Sequence, residues 1–347
     1  MNRDGDLMRP LSGDDPARIA ARAALADLRR EIRGRFTRAP VPVRSAVPRV
    51  SLPAAWERGF DQLRERLATF GMHERSAEID EFGMDAEALR ALRPLLDFVF
   101  DRFWRVRVGG IDGLPERGPY LLVANAAGIL PYDALMIAHA VERARGERPR
   151  FAVADWLITL PFVQPRLARL GGVRACRENV ERLLEARCSV AVFPEGVKGA
   201  AKPFRDRYRL ARFGRGGVVR LAVECGVPIV PVGVVGAEEA HPILYKMAAP
   251  ARALGLPFVP VTPTFPWFGP LGALPLPSQW VIRFGEPISY ADLAPDAARD
   301  ALLLSRLTEE LRAQIQSLVD AGLRTRATVW SLAPGQASAG APSERTG

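Results

Sequence analysis

Hydrophobic and polar positions follow two different periods along the middle of the chain. Short, nearly continuous apolar runs occupy residues 121–124, 151–154, 189–193, 228–235 and 280–284. Runs of this length and composition are typical of strands that are buried on both faces. Segments with apolar positions three and four residues apart lie between most of them. Strands that alternate with helices in this way predict right-handed crossovers and a mainly parallel sheet, so the fold class is α/β.

The segments outside the sheet have other patterns. Helical periodicity over 54–70 and 85–104 predicts N-terminal helices before the first strand, and 296–319 predicts a closing helix. We therefore expect a basic, partly disordered arm at 1–50, a helical segment at 51–105, an α/β domain at 106–325 and a disordered tail at 326–347. The arm contains a basic amphipathic pattern, which fits either a helix lying on an anionic membrane or a solvated or docked helix.

One long segment, 253–282, contains no charged residue but seven prolines. Its length would suit a membrane span, but the prolines exclude a continuous helix. We predict either a loop with Phe258, Phe265, Trp267 and Phe268 exposed near the site or at a membrane interface, or a long loop folded over the core. The N-terminus shows no secretory signal. The expected location is therefore cytoplasmic, peripheral on the inner face of the membrane, without a transmembrane helix.

Composition narrows the choice of partners. The 347 residues carry a formal net charge of +9, which favours anionic partners such as phosphorylated metabolites, acyl carriers or acidic lipid surfaces. Nucleic acid is not expected, because no RNA- or DNA-binding pattern accompanies the charge. The three cysteines lack the spacing of a zinc site or a disulfide framework, so no metal is predicted.

Candidate chemistry lies at the ends of two apolar runs. The first run leads into Asn125 and continues to Asp133, and the second ends at Phe193-Pro194-Glu195-Gly196, closely followed by Lys198. Open α/β sheets bind ligands at the carboxyl ends of their strands, so these two ends predict two walls of one site. Glu195 could bind a substrate hydroxyl or an arginine, and Lys198 belongs to a basic run suited to phosphate.

Four ordered blocks resemble the glycerolipid acyltransferase family, which includes lysophosphatidic-acid and glycerol-phosphate acyltransferases. The blocks are 125–133, 171–177 with Arg177, 193–198, and 227–232 with the sequence Val-Pro-Ile-Val-Pro-Val. In this family a histidine acts as general base on an acceptor hydroxyl, and an aspartate separated from it by four residues orients it. Here Asp133 matches the aspartate, but Ala126 occupies the histidine position and six residues separate the two.

The resemblance implies an acyltransferase-like α/β fold and an O-acyltransferase of phospholipid biosynthesis. It would move a fatty acyl group from acyl-CoA or acyl carrier protein, without a further cofactor, to a lysophospholipid or other glycerolipid hydroxyl at an anionic membrane surface. In that role Arg177 and Lys198 hold phosphate, Glu195 and Gly196 line the acceptor site with Asn125, and Asp133 orients the missing base.

Ala126 leaves two interpretations open. The histidine was replaced to trap a bound state, or the natural protein has lost its base and works slowly. The alternative function is a non-catalytic lipid- or acyl-carrier-binding protein on the same fold. Of the three histidines, His139 lies one to two turns into the following helix and is predicted to be a core or surface residue rather than a substitute base.

Overall fold

The computed structural model describes residues 79–326 except 117, 159–162, 215, 249, 252–255 and 294–296. The chain divides into two compact units, 1–64 and 65–347, and the described residues all belong to the second. The predicted arm at 1–50, the helix at 54–70 and the tail beyond 326 lie outside the described residues.

A seven-stranded sheet forms the centre of this unit. Its strands are β1 (Arg107–Gly109), β2 (Leu121–Ala124), β3 (Arg150–Val153), β4 (Gly172–Arg174), β5 (Val190–Val192), β6 (Ile229–Val235) and β9 (Val281–Phe284), in the order β1-β9-β6-β2-β5-β3-β4. The pairs within β6-β2-β5-β3-β4 are all parallel, and β1 also pairs parallel to β9. Only the β6-β9 pair of this sheet is antiparallel. The predicted α/β class with a mainly parallel sheet is confirmed.

Helices cover both faces of the sheet. They are α1 (Ala86–Phe98), α2 (Tyr132–Arg145), α3 (Asp155–Ile158), α4 (Gln164–Arg169), α5 (Arg177–Glu185), α6 (Gly196–Ala200), α7 (Gly217–Cys225) and α8 (Ala301–Thr325). Asp85 begins α1 and Asp300 begins α8 by accepting backbone N–H bonds from the first turn, the usual role of an aspartate N-cap. None of the described helices is long and apolar enough to cross a membrane.

Burial on both sheet faces explains the continuous apolar runs. Along β2, Leu122 and Ala124 pack into one hydrophobic cluster with α1 and α2. Leu121 and Val123 face the opposite way, into a second cluster with α5, α7 and α8. Successive strand residues point to opposite faces, so a strand between two helical layers needs an apolar residue at every position.

Several boundaries differ from the prediction. The first helix ends at Phe98 and continues as a π-helix over Val99–Phe103, while the closing helix α8 extends to Thr325. Within the predicted loop 253–282, β8 (Val259–Val261) pairs antiparallel with β7 (Tyr245–Met247) in a small separate sheet.

The predicted exposure of the aromatic residues in this loop is only partly correct. Trp267 and Phe268 are exposed and Phe265 is half-buried. Phe258 is buried, so its predicted exposure is wrong. It packs with Ala201 and Ile243 in a third small cluster, and those contacts remove its ring from water.

Candidate active site

The two predicted walls lie side by side. Strands β2 and β5 are parallel neighbours, with Val123 opposite Val192, so both chains leave the sheet at the same edge. The backbone N–H of Ala126 donates a hydrogen bond of 2.9 Å to Oε1 of Glu195. The structure therefore joins the two strand ends directly.

Glu195 is fully engaged by the protein. Besides Ala126, its carboxylate accepts the N–H of Ala211 at 2.5 Å and lies 3.3 Å from the ammonium of Lys202. Lys202 also pairs with Glu238 at 2.9 Å. Burial lowers the pKa of Lys202, but Glu238 and Glu195 outweigh it, so that pKa lies above its usual value. The predicted contact of Glu195 with a substrate hydroxyl stays a prediction, since both oxygens already have partners.

Asp133 lies in the first turn of α2 and is also buried, but its contacts are different. Oδ2 accepts the N–H of Ala127 at 2.9 Å, and Oδ1 accepts the N–H of Ala134 at 2.8 Å. Burial raises the pKa of Asp133 to about 6 against the opposing effect of these bonds, and nearby Glu238 raises it further. Its pKa therefore lies closer to neutrality than that of an ordinary aspartate, which suits a group that accepts and returns a proton.

Asn125 links two strands. Its Nδ2 donates to the carbonyl of Val234 at 3.0 Å, and its Oδ1 accepts the N–H of Val234 at 2.7 Å. The side chain is completely buried. These paired bonds hold the end of β2 against β6, while the predicted contact of Asn125 with substrate stays a prediction.

A cavity of about 480 Å³ opens beside the strand ends. Its polar lining includes Asp133, Cys176, Arg177, Arg220 and Thr308. The remainder of its wall is mainly apolar and includes Ala126, Gly128, Ile129, Pro131, Val153, Trp156, Leu157, Val180, Val192, Phe193, Gly196, Phe213, Val219, Leu221 and Leu311. An apolar space with a few polar groups suits a ligand that has a hydrocarbon part and a charged or reactive end.

The predicted phosphate-binding residues lie in different places. Arg177 lines the large cavity, half exposed, and pairs with Glu181 at 2.6 Å and Glu224 at 2.7 Å. Lys198 is exposed and lines a second cavity of about 400 Å³ together with Lys246. The structure thus brings Ala126, Asp133, Gly196 and Arg177 to one cavity and places Lys198 at another.

Relatives and a family model identify the group to which this chain belongs. An uncharacterized protein of Mycobacterium tuberculosis is 45% identical over 241 residues, which are 69% of this chain and 67% of the relative. An uncharacterized protein of Mycobacterium leprae is 46% identical over 241 residues, or 69% and 66% of the two chains. The sequence model described as Acyltransferase matches residues 105–235. This chain belongs to the acyltransferase family.

The match includes both strand ends of the candidate site, and the family predicted from the motifs is confirmed. Among solved structures, the 1-acyl-sn-glycerophosphate (LPA) acyltransferase PlsC from Thermotoga maritima is similar, with a TM-score of 0.44 and 18% identity over 80% of this chain and 90% of that chain.

Position 126 of this chain is tightly enclosed. Ala126 is 6% exposed and lies under the short helix α6. A Cβ atom added to Gly199 of that helix would lie 2.8 Å from the Cβ of Ala126, a distance that real side chains do not reach without displacing one another. Glycine at 199 therefore allows α6 to cover the strand end.

Neither of the histidines in the described part of the chain replaces the missing base in this cavity. His139 is buried on α2 with its Nε2 2.9 Å from Oδ1 of Asp97, so it is a core residue, which is one of the two predicted alternatives. His241 is buried and stacks on Tyr132 with ring centroids 5.8 Å apart. Neither contributes to the cavity wall. Over the described ranges, no cluster of histidine, cysteine and carboxylate side chains could hold a metal ion.

Sequence reasoning missed the residues that hold Glu195 and cover Ala126. Lys202 lies in the same basic run as Lys198, which was assigned to phosphate binding, although a lone buried acid at a strand end already required a partner. Ala211 contributes a backbone N–H, and Gly199 contributes the absence of a side chain. Neither contribution has a signature in one sequence.

Proposed function

We propose that this chain is an O-acyltransferase that moves a fatty acyl group from a thioester donor to the hydroxyl of a lysophospholipid or another glycerolipid. The observation that carries the proposal is the mainly apolar cavity that meets Asp133 and Arg177 at the strand ends of an acyltransferase fold. The donor is acyl-CoA or acyl carrier protein, which acts as co-substrate, and no other cofactor takes part. Such a reaction belongs to phospholipid biosynthesis.

The cavity offers separate places for the parts of such substrates. Its apolar wall suits an acyl chain, because each buried methylene gains about 0.8 kcal/mol on leaving water. Arg177 is half exposed at the wall and is already paired with two carboxylates. A phosphate group of the acceptor or donor would take over from those carboxylates, since arginine binds phosphate through several N–H donors at once.

The chemistry requires one proton transfer. The acceptor oxygen attacks the thioester carbonyl, a C–O bond forms, the C–S bond breaks, and the hydroxyl proton goes to the departing thiolate. Asp133 is the one carboxylate among the described residues that line the cavity, and its pKa of about 6 allows it to accept that proton and return it. In the presence of a histidine at 126, Asp133 would instead orient the imidazole.

The decisive experiment restores the missing base. Ala126→His is expected to raise the rate of acyl transfer by about 10²- to 10⁴-fold, the usual contribution of a positioned general base. Transfer is measured with radiolabelled acyl-CoA and acyl carrier protein against a panel of lysophospholipids. Ala126→Gln is the matched control, because it adds bulk without a base. Equal rates for the histidine variant, the glutamine variant and a reaction without protein would contradict the catalytic proposal.

A second candidate function rests on Ala126 itself and on the complete engagement of Glu195. A protein without the usual base and with its acid used for structure could bind lipid or acyl carrier without turnover. Under that function acyl-CoA or lysophospholipid binds in calorimetry, while neither the native chain nor its histidine variant transfers the acyl group.

A cytoplasmic, peripheral position at an anionic membrane surface completes the proposal, because the acceptors are bilayer lipids. The net charge of +9 supports this position by favouring anionic lipid headgroups.

A further inference from the structure

An exposed apolar turn lies between β8 and β9. Within eight residues it presents Trp267, Phe268, Leu271 and Leu274 to solvent, and Trp267 is 74% exposed. We call these four residues the apolar turn. Contiguous large apolar side chains on a protein surface mark an interaction site more often than single ones do.

The turn has a defined shape that keeps these side chains outward. Oγ1 of Thr262 accepts the N–H of Phe265 at 2.9 Å, and Oγ1 of Thr264 donates to the carbonyl of Gly272 at 3.1 Å. A Cβ atom added to Gly272 would lie only 2.7 Å from the carbonyl oxygen of Thr264. The backbone therefore closes on itself, and these hydrogen bonds hold the shape of the turn.

The segment of the chain that contains the turn has no acidic residue. Residues 240–285 contain no aspartate or glutamate but include Lys246, Arg252 and Arg283. Strand β7 pairs with β8, and its residues Tyr245 and Lys246 are exposed, as is Leu244 just before it. Exposed tryptophan and tyrosine next to a lysine are typical of proteins that contact a lipid headgroup region.

This surface is connected to the wall of the large cavity. Phe258 immediately precedes β8, and its ring centroid is 6.0 Å from that of Trp156. Ile129 packs against the same cluster, and both Trp156 and Ile129 line the cavity. Phe258 also lines the second cavity with Lys198 and Lys246. The small β7-β8 sheet thus lies between the apolar turn and the candidate active site.

We propose that the apolar turn, together with Leu244 and Tyr245, is the surface by which this chain docks on an anionic lipid bilayer. The apolar side chains enter the headgroup region, and Lys246 contacts lipid phosphates. A lipid acceptor would then reach the cavity from the membrane along the Phe258 side; this last step rests on the proposed function, whereas the docking does not.

The test compares two substituted surfaces of the full chain. The triple variant Trp267→Ser, Phe268→Ser, Leu271→Ser removes most of the apolar turn. Leu302→Ser is the matched control, since Leu302 is an 85% exposed leucine on α8. Partition is measured by co-sedimentation with phosphatidylcholine vesicles that contain phosphatidylglycerol. We expect the triple variant to lose about tenfold or more in partition, because interfacial binding scales with buried apolar area, while the control keeps native partition.

A charge variant supplies a second readout. Lys246→Glu is expected to weaken partition on vesicles that contain phosphatidylglycerol and to leave the weaker binding to pure phosphatidylcholine unchanged. Native partition by the triple variant, equal losses in the triple variant and the control, or no vesicle binding by the native chain would each overturn the docking surface. So would a dimer in light scattering that the triple variant dissolves, since the occupant would then be a second copy of the chain.

A parallel assay separates docking from catalysis. Acyl transfer to a short-chain lysophospholipid in free solution should be equal in the native chain and the triple variant, while transfer to an acceptor held in vesicles should fall in the triple variant. Vesicle binding without transfer to either acceptor would reject the proposed function and leave the docking surface standing. Undiminished transfer to the vesicle acceptor by the triple variant would reject the docking surface alone.

Discussion

Asp133 and Glu195 are two buried carboxylates that follow neighbouring strands, and they differ in whether a positive charge lies beside them. Glu195 bonds to two backbone N–H groups and an ammonium, which places a positive charge beside it. Asp133 bonds to two backbone N–H groups and lines the cavity, and burial raises its pKa to about 6. A compensated charge suits a structural link, whereas a carboxyl group whose pKa is raised towards neutrality suits proton transfer. Two acids at similar positions in a fold can therefore have different tasks.

Replacing Asp133 should produce the largest effect on the rate. Asp133→Asn removes the acid-base group and keeps the size of the side chain, so transfer is expected to fall by about 10²- to 10⁴-fold. Steady-state kinetics of the native chain and the variant measure this loss. Circular dichroism and thermal unfolding check that the variant is folded, because the asparagine can accept only one of the two N–H bonds. A folded variant with native transfer would show that Asp133 is not the base.

Removing Lys202 should mainly affect folding. Lys202→Met leaves Glu195 and Glu238 buried without their shared cation, and breaking such a pair costs about 3–5 kcal/mol of unfolding free energy. Urea unfolding measures the loss. Lys198→Met removes an exposed lysine on α6 and should change stability by about 0.5 kcal/mol or less. If both variants were equally stable, Glu195 would not depend on its ammonium partner.

The pH dependence gives a test that needs no substitution. A base with a pKa of about 6 is active when deprotonated, so transfer should rise about tenfold between pH 5 and pH 7. The stability effect has the opposite sign. Because folding raises the pKa from 3.8 to about 6, the contribution of Asp133 to stability is complete below pH 3.8 and is lost as the pH rises through 6.

We assign both pH effects, on the transfer rate and on stability, to the titration of Asp133. The residual rate of Asp133→Asn should therefore lack the rise between pH 5 and pH 7. A rise that persists unchanged in the asparagine variant would assign the titration to another group and would leave Asp133 with a purely structural role, like that of Glu195.

The smallest effect is expected at the wall of the cavity. Arg177→Gln should raise the KM for a phosphate-containing acceptor by about fivefold and leave kcat nearly unchanged, because an exposed charge contributes modest binding energy. Initial rates at varied acceptor concentration measure this split. An equal increase for an acceptor without phosphate would show that Arg177 does not recognise the phosphate.

The sequence predicted the five strands β2, β3, β5, β6 and β9 because they are mostly buried on both faces and form nearly continuous apolar runs. It also placed Asp133 and Glu195 at adjacent strand ends, since the apolar runs stop directly before those regions. It could not separate the tasks of the two acids. That difference depends on Lys202 and Ala211, which lie in a loop without periodicity.

The second region that sequence reasoning could not resolve is the segment after β6. Its prolines concealed the pairing of β7 with β8, because a short edge pair tolerates residues that a central strand excludes. The burial of Phe258 depends on Trp156, about a hundred residues earlier in the chain. Lys198 was predicted to bind phosphate together with Arg177, but it lines the second cavity, beside residues of the β7-β8 sheet.

The close approach of Gly199 to Ala126 makes these two positions one unit for protein engineering. A histidine placed at 126 keeps the Cβ position of alanine, so its Cβ makes no new contact with Gly199. Any larger residue at 199 would push α6 away from the strand end before the histidine could act. A Cβ atom at 199 would also lie 2.5 Å from the Cβ of Glu195, so a library that aims to restore or improve transfer should vary position 126 and keep glycine at 199.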